Sequence, residues 1–168
     1  HSGLKQINAD NVGKMQLAWQ FSTGVLRGHE GAPLVVGDVM YLHTPFPNVV
    51  YALDLKDPSH QIIWKYEPKQ DPSVVPVMCC DTVNRGLAYG DGKIILAQAD
   101  TTLVALDAKT GQTIWDREVR AIEKAPSIHK KNSHASPTPI VRDGAVYVHF
   151  GTLGMARLSA ADGELKWI

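Results

Sequence analysis

One pattern repeats three times along the sequence: an apolar run, a tight turn, a second apolar run and, after another turn, a tryptophan. The repeated tryptophans are Trp64, Trp115 and Trp167, and Trp19 precedes them, which gives spacings of 45, 51 and 52 residues. A period of about 20–50 residues is typical of repeat architectures. Each unit offers three or four short antiparallel strands, and regularly spaced units of this kind predict an all-β fold built from β-propeller blades.

The recurring tryptophan has a predicted structural role. In the second unit a small residue and a carboxylate, in the order Ala-Leu-Asp107, precede the turn residues Thr110 and Gly111 and then Trp115. We expect the indole ring to dock on the turn of the next blade, where a small residue, a carboxylate acceptor and a turn glycine hold it. Glycine suits such a turn because it adopts a positive φ at no steric cost.

The repeats also predict the domain organisation. We expect a single partial propeller domain over 1–168, with blade units at about 25–68, 69–119 and 125–168 and a further strand over 14–23. Propellers usually close with about four to eight blades, because closure protects the strand edges. Three blades do not close a ring, so we expect either a piece of a larger propeller or a ring completed by self-association.

Charge and hydropathy exclude several classes of protein. Lys and Arg number 17, and so do Asp and Glu, whereas a nucleic-acid binder usually has a basic excess. There is no apolar run of about 18 residues, so no transmembrane segment is predicted.

The sequence begins at His1 without a signal peptide, which indicates a cytosolic protein or a missing N-terminal segment. Its adjacent cysteines, Cys79 and Cys80, could pair with each other, pair with another chain or stay free.

Three stretches carry a resemblance to a known family. They are GHEGAPLVV (28–36), HTPFPN (43–48) and DPSVVPVMCCDTVNRG (71–86). Over residues 2–119 they resemble the PQQ-dependent quinoprotein alcohol dehydrogenases, and more narrowly the large subunit of methanol dehydrogenase in its rare-earth branch. Residues 125–168 resemble PQQ-like propeller repeats more generally, many of which are noncatalytic.

The resemblance implies an eight-bladed propeller that holds pyrroloquinoline quinone (PQQ) on its axis together with a calcium or rare-earth ion. It implies that Cys79 and Cys80 form a vicinal disulfide against one face of the quinone, that Arg85 hydrogen-bonds the quinone carbonyls, and that Glu30 contacts the cofactor. A periplasmic enzyme, a small primary alcohol as substrate, an aldehyde product and a cytochrome c electron acceptor follow from the same resemblance.

The resemblance places no metal ligand and no catalytic aspartate in this chain, and a half-site poor in carboxylates should bind PQQ weakly and a metal hardly at all. Two functions therefore remain open: one wall of a PQQ-dependent alcohol dehydrogenase, or a noncatalytic propeller scaffold that binds proteins. Four histidines lack the spacing of metal ligands and are interpreted as surface or strand residues. They are His29, His43, His134 and His149.

Overall fold

A computed structural model of the chain describes residues 3–78, 82–120 and 137–168. These residues form three antiparallel sheets of four strands each, and the strands of every sheet follow one another in chain order. The first sheet contains β1 (Leu34–Val36), β2 (Val39–His43), β3 (Val50–Asp54) and β4 (Ile62–Tyr66). The second contains β5 (Ala88–Gly90), β6 (Lys93–Ala97), β7 (Thr102–Asp107) and β8 (Thr113–Glu118). The third contains β9 (Ile140–Arg142), β10 (Ala145–His149), β11 (Met155–Ser159) and β12 (Leu165–Trp167). The predicted all-β fold of propeller blades is confirmed.

Helical structure within the described ranges is limited to short 3-10 turns. They are Val12–Lys14, Pro72–Val77 and Gly151–Leu153. A membrane-spanning helix needs about 20 apolar residues. No helix in the part of the chain that the structure describes is long and apolar enough to cross a membrane.

The two ends of each sheet carry different connections, because neighbouring strands run antiparallel. We call one end the lower rim; it holds the hairpin from first to second strand and the turn from third to fourth strand. We call the opposite end the upper rim; it holds the loop from second to third strand and the segment that leads into the first strand. This division places the turn of Gly111 on the lower rim and the segments that contain Glu30 and Arg85 on the upper rim.

The second sheet is covered on both faces. Ile94 packs in one apolar cluster with Ala52 of the first sheet, whereas the next residue, Ile95, packs in another with Val146 of the third. Side chains of successive strand residues point to opposite faces, so neighbouring positions serve different interfaces. A sheet buried on both faces accounts for the continuous apolar runs of β6 and β7.

The first tryptophan junction joins the first two sheets on the lower rim. Trp64 donates its indole N–H to the carbonyl oxygen of Ala108 at 3.0 Å, and the Tyr41 hydroxyl donates to the same oxygen at 2.9 Å. Gly111 has a φ of 72°, and a Cβ built on it would lie 2.6 Å from Cδ2 of the Trp64 ring. The ring therefore lies directly on the turn of the following sheet, as the repeat predicts.

The same contact recurs between the second and third sheets. Trp115 donates its indole N–H to the carbonyl oxygen of Ala160 at 3.2 Å. A Cβ on Gly163, whose φ is 73°, would lie 2.7 Å from Cε3 of the Trp115 ring. Two junctions of the same design, 51 residues apart in sequence, confirm that the tryptophan docking is a property of the repeat.

The expected carboxylate acceptor plays a different part. Asp107 accepts hydrogen bonds from the backbone N–H groups of Lys109 at 2.9 Å and Thr110 at 2.8 Å. The bond from the Thr110 backbone is the largest cause that lowers the pKa of the Asp107 carboxyl below its ordinary value. The carboxylate therefore shapes the turn, and the backbone carbonyl of Ala108 accepts the indole N–H in its place.

The structure does not contain the strand that the sequence predicts over 14–23. Residues 15–23 form no strand, and the side chains of Trp19 and Phe21 instead pack on a face of the first sheet. The Phe21 ring meets the Tyr51 ring edge-on at 5.2 Å, and the Tyr51 hydroxyl donates to the Thr23 carbonyl at 2.9 Å. A strand needs a backbone partner beside it, and a segment that crosses the face of β3 has none there.

Candidate functional site

Glu30 and Arg85 come together on the upper rim, although 55 residues separate them in sequence. Each lies in a segment that leads into the first strand of its sheet. Arg85 Nε lies 3.5 Å from Glu30 Oε2, and the side chains are 45% and 44% exposed, respectively. The structure thus places a cation and an anion side by side, both within reach of a ligand.

The segment before Glu30 is held by its own side chains. His29 Nδ1 lies 2.7 Å from the Arg27 carbonyl oxygen, which accepts, so Nδ1 carries the proton. His29 Nε2 then accepts from the Thr23 hydroxyl at 2.9 Å, and the Thr23 Oγ1 also accepts from the Val25 N–H at 3.3 Å. The exposed His29 therefore supports the loop that carries Glu30, as a surface histidine.

His43 is buried beneath the same segment. It ends β2 and is 6% exposed. A Cβ on Gly31 would collide with the His43 ring, so the ring lies against the Gly31 backbone and only glycine fits there. Burial lowers the pKa of His43 below its ordinary 6.5, and the neighbouring His29 lowers it further, against an opposing backbone hydrogen bond at Asn84. The prediction of a strand histidine is confirmed, but this histidine is covered.

The segment before Arg85 is tied to two sheets. His43 Nε2 donates to the Asn84 carbonyl oxygen at 3.0 Å. The buried Asn84 side chain donates to the carbonyl oxygen of Ala97, at the end of β6, at 2.8 Å. The Asn84 Oδ1 also accepts from the Gly86 N–H at 3.3 Å. Arg85 is therefore flanked by residues with fixed backbones while its own side chain stays half exposed.

The third sheet closes this segment from the other side. A Cβ on Gly86 would collide with the Thr138 side chain, which lies just before β9. Only glycine permits such a close approach of the backbone. Gly86 thus allows the segment that contains Arg85 to pack closely against the residues that lead into the third sheet.

Several residues singled out in the sequence lie outside the described residues. Cys79, Cys80 and His134 belong to this group. On one side of the cysteines the Met78 N–H donates to the Val75 carbonyl oxygen at 3.0 Å, and on the other the Thr82 carbonyl oxygen accepts from the Phe46 N–H at 3.2 Å. The described residues on both sides of the cysteines are therefore anchored by backbone hydrogen bonds.

No group of three or more His, Cys, Asp or Glu residues that could hold a metal ion occurs in the described ranges. His149 ends β10, and its Nδ1 accepts from the Gly151 N–H at 3.2 Å. The terminal nitrogens of Arg85 make no hydrogen bond to the residues that the structure describes. The chemistry of this rim is therefore that of an always-charged fork of donors, suited to carboxylate and carbonyl oxygens.

Sequence reasoning missed the two buried polar residues that support the pair, His43 and Asn84. The signal that could have found His43 is its position, since it ends the apolar run of β2, whereas Asn84 lies in the segment before β5 and no sequence signal marks it. Buried polar groups are almost always hydrogen-bonded, so a covered polar residue at a strand end indicates a structural tie.

Comparison with known proteins agrees with this geometry. The family model "PQQ: Glucose/ethanol/alcohol dehydrogenase, beta-propeller domain" matches residues 1–116. A lanthanide-dependent methanol dehydrogenase of Methylorubrum extorquens is 74% identical over 115 residues, which are 68% of this chain and 19% of that protein. The methanol dehydrogenase [cytochrome c] subunit 1 of Paracoccus denitrificans is 52% identical over 179 aligned positions, which cover 99% of this chain and 27% of that protein.

A solved structure gives the same result. The chain superposes on a europium-containing methanol dehydrogenase with a TM-score of 0.82 and 41% identity, which covers 99% of this chain and 29% of that one. The chain thus spans under a third of the length of the relatives named here. The family model covers more than half of the chain, and the sheets, their tryptophan junctions and the fold comparison agree with it. The chain therefore belongs to the PQQ beta-propeller family of glucose, ethanol and alcohol dehydrogenases.

Proposed function

We propose that this chain supplies one wall of the PQQ site in an alcohol dehydrogenase of the methanol type. The whole protein would oxidise a primary alcohol to an aldehyde and pass the electrons to a cytochrome c. The observation that carries the proposal is the half-exposed pair of Glu30 and Arg85 on the upper rim of a chain from this family.

The residues present fit one edge of PQQ. PQQ, when bound, supplies the two-electron acceptor for alcohol oxidation. Arg85 has terminal N–H groups that make no hydrogen bond to the described residues, and guanidinium is charged at every physiological pH. Such a group binds the carboxylate and carbonyl oxygens of a planar anion.

Glu30 orients that guanidinium. An ion pair with both partners about half exposed contributes little to stability, about 0–1 kcal/mol. Its value for the site is geometric, because Glu30 engages the Nε edge of Arg85 and leaves the opposite edge for a ligand. We therefore assign Arg85 the binding role and Glu30 the role of a neighbour that also contacts the cofactor.

The other parts of the proposal rest on the relatives. One relative is named as lanthanide-dependent and a solved one as europium-containing, which supports a rare-earth ion, with calcium as the alternative, in the whole protein. The metal ligands and the proton acceptor for the alcohol would come from other parts of that protein. We further propose a periplasmic location and a single partial propeller domain over 1–168, with blade units at about 25–68, 69–119 and 125–168.

Equilibrium dialysis of PQQ against the purified chain, with and without calcium or lanthanum, tests the proposed wall. We expect weak but measurable retention of PQQ. Arg85→Ala should weaken it about tenfold or more, because a hydrogen bond to a charged group contributes about 1.5–3 kcal/mol. Arg142→Ala is the matched control, since Arg142 is an exposed arginine that also pairs with a carboxylate, Asp143. Absence of retention at every metal level, or equal losses in both variants, would contradict the proposal.

We also propose that Cys79 and Cys80 pair with each other as a vicinal disulfide. Adjacent cysteines that pair form a rigid, apolar plate suited to the face of a flat ring. Thiol labelling of the air-oxidised, unfolded chain is expected to find no free thiol, and labelling after reduction should find both. The Cys79→Ser variant is the control, since it should show one free thiol per chain or a dimer linked through Cys80. Two labelled thiols in the oxidised wild-type chain would refute the pairing.

A further inference from the structure

Buried His43 contacts both backbone segments that carry the charged side chains of the upper rim, at Gly31 next to Glu30 and at Asn84 next to Arg85. We propose that His43 is a positioning residue, which sets the spacing between Glu30 and Arg85 by bracing the backbone of Gly31 and of Asn84. This inference rests on the proposed function, because the spacing of the pair has a chemical purpose only if PQQ binds there.

The first contact fixes the Glu30 side. The His43 ring occupies the space that any side chain at position 31 would need. The Gly31 backbone therefore lies against a flat ring, and this contact limits how closely Glu30, one residue earlier, can approach the first sheet. A rigid ring supports this position better than a flexible side chain would, because it has few rotamers to lose.

The second contact fixes the Arg85 side. The Asn84 carbonyl oxygen only accepts, so the proton of the 3.0 Å hydrogen bond must lie on His43 Nε2. In the neutral imidazole Nδ1 is then unprotonated. One tautomer of one ring thus connects the residue after Glu30 to the residue before Arg85.

His43 is itself held by a regular element. It pairs with Val50 in the register of β2 and β3, and Val50 is fully buried. The next residue, Thr44, continues the pairing, since its N–H donates to the Val49 carbonyl oxygen at 2.9 Å. Sites supported from strands are held more precisely than sites supported from loops. The strand pairing therefore fixes the His43 ring relative to the first sheet, and the ring in turn positions the segments that carry Glu30 and Arg85.

Two substitutions separate the ring from the hydrogen bond. His43→Phe keeps a flat ring against Gly31 but leaves the Asn84 carbonyl oxygen without its donor. His43→Gln keeps an N–H donor at nearly the same reach. In the full chain we expect the Arg85 Nε–H signal in a ¹⁵N NMR spectrum to shift toward its free position in His43→Phe and to return in His43→Gln. PQQ retention should fall about tenfold in His43→Phe and recover in His43→Gln, because the buried Asn84 carbonyl oxygen loses its donor only in the first variant.

Tyr41→Phe is the matched control, because it removes another buried donor to a backbone carbonyl, on the lower rim. It should leave the Arg85 signal and PQQ retention unchanged. An Arg85 signal that is the same in His43→Phe and wild type, or that shifts equally in Tyr41→Phe, overturns the inference. A wild-type His43 with the proton on Nδ1, read from its imidazole ¹⁵N shifts, overturns it without any variant.

The outcomes for the two proposals are distinguishable. If the wild-type chain does not retain PQQ, the proposed wall fails, while the Arg85 signal and the His43 tautomer still decide whether His43 acts as a brace. If the wild type retains PQQ and His43→Phe retains it equally, the inference about His43 fails alone.

Discussion

Trp115→Ala is expected to lower the free energy of unfolding by about 3–5 kcal/mol, the usual range for removing a large buried aromatic residue. Trp115 is 5% exposed, and it joins the second and third sheets both by packing on Gly163 and by its bond to the Ala160 carbonyl. Its removal leaves a cavity and an unpaired acceptor at the same junction. Urea unfolding of the wild-type and variant chains, followed by circular dichroism, gives the difference.

Trp167→Ala is the control for this prediction. Trp167 occupies the same position of the third sheet but is 44% exposed, and no following turn covers it in the described residues. We expect a loss well under half of that for Trp115, because less surface returns to water. Equal losses in the two variants would show that the junction, as distinct from the tryptophan in its own sheet, contributes nothing.

Gly111→Ala is expected to have the second-largest effect. An alanine there meets two costs: a positive φ, about 1–2 kcal/mol, and a Cβ only 2.6 Å from the Trp64 ring, for which overpacking costs about 1–3 kcal/mol. The ring cannot move away without breaking its bond to the Ala108 carbonyl. Urea unfolding measures the sum of both costs.

Gly92→Ala separates the two costs. Gly92 has a φ of 73°, close to the 72° of Gly111, but a Cβ on Gly92 would meet nothing within 4 Å. Its destabilisation should therefore report the backbone cost alone, and the difference between the variants, about 1–3 kcal/mol, reports the collision with the tryptophan. If the two variants are equally stable, the ring does not rest on the turn.

The blades and their junctions could be predicted from the sequence because the repeat places the same residues at the same offsets. The choice of acceptor could not, since Asp107 and Ala108 are neighbours and only the path of the backbone decides which oxygen faces the indole. The strand expected over 14–23 failed for a related reason. Alternating apolar residues report one covered face, and they do not report a backbone partner.

The candidate site shows the same limit. The resemblance selected Glu30 and Arg85, but no sequence spacing could give the 3.5 Å between their atoms, because it depends on how two sheets pack. The role of His43 was missed because exposure at a strand end depends on whether a loop folds over it. The collision of a Cβ at Gly31 with the ring is visible only in three dimensions.

The tryptophan contacts between the sheets run in one direction along the chain, since Trp64 docks on the second sheet and Trp115 docks on the third. Each of these two tryptophans lies on the turn between the third and fourth strands of the sheet that follows it. The turn of the first sheet is already occupied, because the Trp19 ring lies 4.3 Å from the ring of His60, which has a φ of 49° where the second sheet has Gly111. A second tryptophan could therefore dock on the turn of the first sheet only by displacing Trp19, so this turn is closed by a residue of its own chain.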